Sequence, residues 1–529
     1  MMRTCALVLL LLCCYTVSFP QAKVTIGSPY GTIDAREKYY FPKNGQILTV
    51  KMQKRSVMLQ KLDAQTLKFL QIRSYDDLPK DVVIEKVMEF NDRFYLFYSL
   101  YEDKTEQLFV REIDFKNGTF KGVGRKLISV SDKLSGSLEK TGFMRVGVAD
   151  KFDFYASFDS SSLIIKYRLV PETRRDSKSY DVIGMHVFDK DLLEKWGNKV
   201  TMPYTEKKMD NLDYSVDASG NVYIVARIYN DDTTDKKRGD DVNYTIEIMK
   251  LAAKTGSITT TKVNIADKFV KTVWLYETPQ NNMIGIGYYN KGNQPGNVDG
   301  VLYFKVNNNG LASDMKTYEI PVEIMNQYAS RREKRKNEKK EDDDEAEITN
   351  LRLRDVLIRK DGSILLIGEQ AYMVTRTSYV NGRSSYYVVF YNNDMLVTKI
   401  DPAGKLAWMR KLAKRQRGGI EGGGMSYAYV AGTDAHYLVY LDNEKNIDLP
   451  IDEEPAMHVD GQGGFLTAYK ITDRTGEVKK ITVLDTRNVE DFALHQFHTY
   501  RVMNTAPGTL VFESYKKKKE DILIKAEFE

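Results

Sequence analysis

Cysteine is confined to the leader of this chain, at Cys5, Cys13 and Cys14. Beyond it, disulfide staples, thiolate nucleophiles and cysteine metal sites are excluded, and stability must come from core burial. Histidine is nearly as scarce, with five copies in 529 residues. The one close pair, His495 and His498, is spaced three apart, which puts both rings on one side in a helix and on opposite sides in a strand. With no further ligands beside it, no metal is expected. Proline is rare at 13 copies, and no GxSxG nucleophile turn occurs. Charge of one sign is missing too: 78 basic against 73 acidic residues leave a formal +5. A nucleic-acid footprint would show as a clear basic excess or stripe, so no nucleic acid is expected as partner. The apolar run near the N-terminus is about ten residues, well short of the ~20 a membrane helix needs, and no other stretch comes closer, so no transmembrane segment is expected in the mature chain.

That first run has the form of an export signal. Residues 1–22 hold Arg3, an apolar stretch from Ala6 to Tyr15 and a polar end, and cleavage is expected between Ser18 and Lys23. The mature protein is then periplasmic, cell-surface or extracellular. Cys13 or Cys14 as a lipid attachment point is the weaker reading, because Cys13 follows Leu12 where a lipoprotein signal has a small residue. What is abundant is tyrosine, 34 copies. Its flat apolar body and polar tip suit half-wet strands and binding surfaces alike.

A repeat runs through residues 23–529, read as one domain. Turn tips at Asn44-Gly45, Asn91-Asp92, Ala149-Asp150, Ser219-Gly220, Asn281-Asn282, Asp361-Gly362, Thr433-Asp434 and Pro507-Gly508 each precede an apolar strand of about seven residues, as in VYIVARI after Ser219-Gly220. A hairpin, a second strand ending near Asp or Asn, a short turn and a third strand follow. Tips recur at 47 to 80 residues, so pattern is kept while loop length varies. Regular short strands with hairpin turns predict an all-β fold, an eight-bladed β-propeller with seven blades as the competitor. The last unit ends at the chain terminus, and Lys23 to Tyr30 is free to supply its outer strand, so the two ends are predicted to share a blade. The charged block Tyr328 to Asn350 lacks an apolar stripe and is expected as a solvated helix or disordered loop inserted between blades; a docking tail is the functional alternative. Gly418 to Gly424 is expected to be a flexible connector.

Asp401, Gly404 and Trp408 resemble the repeat of quinoprotein-type eight-bladed propellers, in which the tryptophan docks neighbouring blades. Leu62-Asp63 with Phe69, Phe188-Asp189 with Trp196, and Asp473 with Gly476 keep parts of it, and Ser215 to Ile228 is similar to the strand opening of another bacterial propeller repeat. Gly368-Glu369-Gln370, the tyrosine-rich hairpin, Asp401 to Trp408 and Lys414-Arg415-Gln416 together are similar to uncharacterised secreted propellers of bacterial envelopes. Outer-membrane-assembly propeller lipoproteins share the repeat without chemistry. The resemblance implies a fold and a compartment and no activity. The quinoprotein enzymes match poorly, since their site lies beneath a disulfide of adjacent cysteines that this chain lacks, and no cofactor is expected.

Among candidate sites, Asn230 to Asp235 with Asp240 and Asp241 has the oxygen content of a calcium loop, but Lys236, Lys237 and Arg238 break the spacing and favour a solvated hairpin. Ser215 to Gly220 approaches a sialidase Asp-box, with one residue too many. Sequons at Asn117 and Asn243 matter only in a glycosylating host. The constellation that stands out is Glu369 with Tyr372, Tyr386, Tyr387 and Tyr391, joined in the binding assignment by Lys414 and Gln416. Strand-borne glutamate among hydroxyls suits sugar binding or acid catalysis, whereas pairing of Glu369 with Lys414 or Arg415 would make it structural. The expected function is a non-catalytic propeller scaffold binding an envelope protein or polysaccharide; a glycan-binding or glycan-cleaving propeller is the alternative. The axial mouth favours chemistry, and burial against Lys414 or Arg415 removes it.

Overall fold

The computed structural model describes residues 22–528 except 55, 136–137, 142–143, 148–149, 172–177, 233–236, 239–240, 264–267, 293–296, 342–345, 381–382, 422, 490–492 and 496. The expected export signal up to Gln21 and half of the candidate calcium loop therefore lie outside the described residues.

Eight antiparallel sheets stand around an axis as the blades of a β-propeller. Blade 1 is Glu37–Lys43, Gln46–Met52, Val57–Asp63 and Phe69–Tyr75. Blades 2 to 7 begin on Val83–Phe90, Asp153–Ala156, Met209–Val216, Phe269–Glu277, Leu351–Ile358 and Ala428–Ala431. Blade 8 is Val502–Ala506, Thr509–Lys517 and Glu520–Glu527, with Lys23–Ile26 as its fourth strand. That strand pairs antiparallel with Glu520–Glu527 from Lys23↔Glu527 to Ile26↔Ile524, and Tyr30 adds a further pair with Asp521. The ends share a blade as the open last unit predicts, and the seven-blade competitor falls because all eight units form sheets.

Each unit has four strands, one more than the repeat shows. The additional strand precedes the turn tip and lines the axis, where first strands of adjoining blades touch one another. It mixes apolar with charged residues, as in VIEKVMEF of blade 2, so it carries no apolar run to find. The second strand is the apolar one: Val222–Tyr229, Met283–Asn290 and Ala435–Asp442 are buried at every position, because both of their faces meet neighbouring blades. The cores accordingly lie between blades, as where Ile164, Met185 and Val187 of blade 3 meet Val222 and Ile224 of blade 4. The fourth strand is the rim, with Phe69, Leu70 and Ile72 exposed.

Blade 3 corrects the repeat at one point. The segment after Ala149-Asp150 is the axial strand, and the second strand is Ser162–Leu169, which pairs with Tyr180–Asp189. The true tip lies at Ser157 to Ser161, where Ser160 takes a positive φ of 56°. Trp408 and Trp196 lock rims to the next blade: the indole Nε1–H groups donate to the Asp473 and Gly220 carbonyls, each at 2.9 Å.

Because the strands alternate in direction, every turn between first and second strands lies on one face of the disc and every hairpin between second and third strands on the other. The first face holds tight turns. The second carries the long insertions of blades 6 and 7 and, between blades 5 and 6, the helix Arg331–Glu341 from the charged block. A reciprocal cap starts that helix: Ser330 N–H donates to Glu333 Oε2 at 3.0 Å and Glu333 N–H to Ser330 Oγ at 3.3 Å.

Candidate functional site

The long insertion of blade 6 is its central hairpin. Strands Ile364–Val380 and Arg383–Ile400 pair from Ile364↔Ile400 to Val380↔Arg383, with a bulge between Glu369 and Ala371. The first strand of the blade stops pairing at Gln370, so Ala371 onward leaves the disc as a two-stranded arm. Ten residues at strand rise carry it ~30 Å outward.

The expected constellation divides at the bulge. On the blade side, Glu369, Lys414 and Gln416 are fully buried and bonded together. Lys414 Nζ lies 2.7 Å from Glu369 Oε1 and also donates to the Asn392 carbonyl at 2.9 Å and Gln416 Oε1 at 3.1 Å. Glu369 Oε2 accepts from Arg354 at 2.9 Å, Asn392 Nδ2 at 2.8 Å and Ser426 Oγ at 3.0 Å. Gln416 Nε2 reaches the Leu441 carbonyl of blade 7 at 2.8 Å. Burial pushes the Glu369 carboxyl up, but the Lys414 and Arg354 charges overcome it and hold the group below the usual carboxylate range. Glu369 is therefore an anion with both oxygens engaged, the knot that ties blade 6 to blade 7. Arg415 turns away to pair with Glu454.

On the arm side, Tyr372 and Tyr391 stack at 4.8 Å and Arg376 donates to the Tyr391 hydroxyl at 2.7 Å. Tyr391 is buried by this contact, whereas Tyr386 is 74% and Tyr387 49% exposed, with Met373 and Val374 also open to solvent. The structure thus brings Glu369, Lys414 and Gln416 together and leaves Tyr386 and Tyr387 on the arm.

Sequence reasoning missed Arg354, Asn392 and Ser426 around Glu369. Arg354 is the extra residue of a bulge between Leu353 and Asp355, which turns it toward Glu369; nothing in its neighbours signals a bulge. It also missed a belt on the axial wall. Blade 4 has a bulge at the same place, between Asn211 and Asp213, so Asp213 and Asp355 occupy equivalent positions in blades 4 and 6, on either side of blade 5. Asp213 accepts from the Leu275 N–H at 2.7 Å, and burial pushes its carboxyl up to about 7. Asp355 accepts from the Tyr427 hydroxyl at 2.6 Å. Burial raises both nearby phenols, with the Asp213 and Asp355 charges adding to it at Tyr276 and the Asp153 and Asp213 charges at Tyr155.

The remaining candidates are local. His495 and His498 lie in a loop, His498 Nδ1–H donating to the Gly423 carbonyl at 2.6 Å, and no cluster of three metal-ligating side chains occurs among the described residues. Asp217 of the Asp-box-like turn accepts from Asn221 N–H at 2.8 Å and Tyr223 hydroxyl at 3.1 Å. Asn243 is buried against Asp231, out of reach of glycosylation.

No family model matches the chain, and no curated protein matches it. Solved structures do, at low identity. A prolyl endopeptidase is 11% identical with a TM-score of 0.39 over 94% of this chain, which spans 55% of the length of that enzyme. The polysaccharide lyase Uly1 is 10% identical with a TM-score of 0.32, covering 94% of this chain and 92% of its own. The β-propeller domain of the Trilobed protease from Pyrococcus furiosus is 9% identical with a TM-score of 0.34, covering 85% and 96%.

Proposed function

We propose that this protein is an exported, non-catalytic β-propeller scaffold of the cell envelope, which holds a protein or polymer partner on the arm of blade 6. The observation that carries the reading is the division of the constellation. The disc side of the hairpin consumes its charges internally through Glu369, Lys414 and Arg354, while the arm presents apolar and aromatic side chains to solvent. Exposed aromatic surface of this kind marks an interaction site. A glutamate whose two oxygens are both engaged in the core, and whose carboxyl is held ionised, is unsuited to act as a general acid.

The test replaces Met373–Phe390 by Asn-Gly, which closes the hairpin on the Tyr372/Tyr391 pair with a two-residue turn. Envelope components retained by the intact protein and lost from the shortened one support the reading; identical retention by both overturns it. The glycan-active alternative draws on a different observation, Asp213, a carboxyl near neutrality between two tyrosines on the axis. Polysaccharide depletion by the intact protein that Asp213→Asn abolishes and Glu369→Gln leaves in place would favour it.

A further inference from the structure

Both edges of the arm are open. Leu351–Ile358 covers the hairpin only as far as Gln370, and Gln416–Gly418 covers the opposite side only over Phe390–Asn392. Among the described residues no other strand pairs with Tyr372–Val380 or with Arg383–Val389. Outward N–H and C=O groups of such an edge are a template for another strand. Proteins ordinarily blunt edges with proline, lysine, inward charges or a covering element, and none of these protects the arm: its sequence has no proline and no lysine from Gln370 to Asn393.

Cross-strand partners share a face, so Val374, Val389 and Tyr387 lie on one side and Met373, Phe390 and Tyr386 on the other. Neither set enters an apolar core of the described residues. A hairpin apolar on both faces and open at both edges is matched by an extended polypeptide, whose side chains alternate between those faces.

Charge selects among such strands. From Gln370 to Asn393 the sequence holds Arg376 and Arg383 and no carboxylate. At the base, Arg354, Lys411 and Lys414 carry positive charge against the negative charges of Glu369 and Asp394, and Arg417 stands exposed opposite Tyr391. Pairing with the arm of a second copy would bring together two segments of the same positive charge, which costs stability.

We infer that the arm takes up an extended, acidic segment of a protein partner by strand addition, with main-chain hydrogen bonds supplying the docking and the net positive charge of the arm sequence the choice among strands. This rests on the arm being the partner site proposed above, and it names the partner chemistry.

The test uses two fluorescein-labelled ten-residue peptides, one alternating valine with glutamate and the other valine with lysine. Anisotropy titrations are run against the full chain, the Arg376→Glu/Arg383→Glu variant and the arm-shortened variant. The expected result is at least a tenfold preference of the intact protein for the glutamate peptide, a reversed preference in the double variant, and loss of both interactions when the arm is removed. Equal binding of the two peptides, or binding that survives arm removal, overturns the inference. So does an arm-dependent dimer on size exclusion that binds neither peptide. Arm-dependent envelope capture without a charge preference would sink strand addition and leave the scaffold reading standing; capture that ignores the arm would sink both.

Discussion

Glu369 shows what a single carboxylate does in a fold whose described residues hold no cysteine. Its neutralisation by Lys414 makes the pair costly to break, because removing one member strands the other charge in the core; such changes cost ~3–5 kcal/mol. Glu369→Gln is therefore expected to lower stability by about that amount in urea denaturation, and adding Lys414→Met is expected to recover most of it. Recovery absent from the double variant would mean that the contacts to Arg354 and Ser426 matter more than the ion pair. Asp213 is the opposite case, half-buried and without an ion pair among the described residues. Its carboxyl goes from about 3.9 in the unfolded chain to about 7 in the fold, so the fold prefers the neutral form. The stability it supplies is whole below pH 4 and is lost as pH rises through 7. Asp213→Asn should match the parent at pH 4 and exceed it by ~2–4 kcal/mol at pH 8, measured as denaturation midpoints at the two pH values. An equal pH dependence in the variant would refute this.

The two insertions on the loop face differ in how they are held. The helix Arg331–Glu341 has no apolar stripe, and what fixes it is its Ser330/Glu333 cap, Lys334 donating to the Asp452 carbonyl at 2.9 Å and Tyr328 N–H donating to the Ile451 carbonyl at 2.7 Å. Ser330→Ala should cost the helix ~1 kcal/mol, seen as faster amide exchange across Arg331–Lys340 with the thermal midpoint of the disc unchanged. A fall of the global midpoint instead would show that the helix braces blades 5 and 7. Beyond its foot, where Phe390–Asn392 pair with Gln416–Gly418, the arm is held by its own pairing, and its apolar residues enter no inter-blade core among the described residues, so it can be shortened without touching one. Its legibility was uneven for a physical reason. Alternating aromatic and β-branched residues announce a hairpin, but the point where covering strands stop depends on the lengths of Leu351–Ile358 and Gln416–Gly418, which pair from far along the chain.

Ring closure is the property of the whole molecule that governs its stability. Glu513 gathers the seam: Lys51 of blade 1 lies 2.6 Å from Oε1, Tyr30 of the N-terminal segment donates to the same oxygen at 2.7 Å, and Tyr40 donates to Oε2 at 2.5 Å. Burial pushes the Asp521 carboxyl up, and the Glu513 charge adds to it. Removing residues 22–31 takes away the fourth strand of blade 8 and leaves Glu520–Glu527 as an open apolar edge. The shortened protein should unfold at lower temperature and scatter light on heating. Glu513→Gln should accelerate amide exchange in Lys23–Ile26 ahead of blades 3 to 6. Uniform exchange around the ring would mean that the seam is no weaker than the other blade contacts.

Turn tips, apolar second strands and an unfilled last unit were enough to read eight blades and their closure, because each follows from local period and turn chemistry repeated eight times. The same logic reached Trp408, whose ring needs a neighbouring blade to bury it. Glu369 was visible as an unusual strand residue, but its partners Arg354, Asn392 and Ser426 come together through a bulge, the returning strand of the hairpin and the loop that leads into blade 7. Asp213 and Asp355 acquire their equivalence only because blades 4 and 6 bulge at one position and turn toward one axis. Local period is written residue by residue; the company a charge keeps depends on which blades close around it.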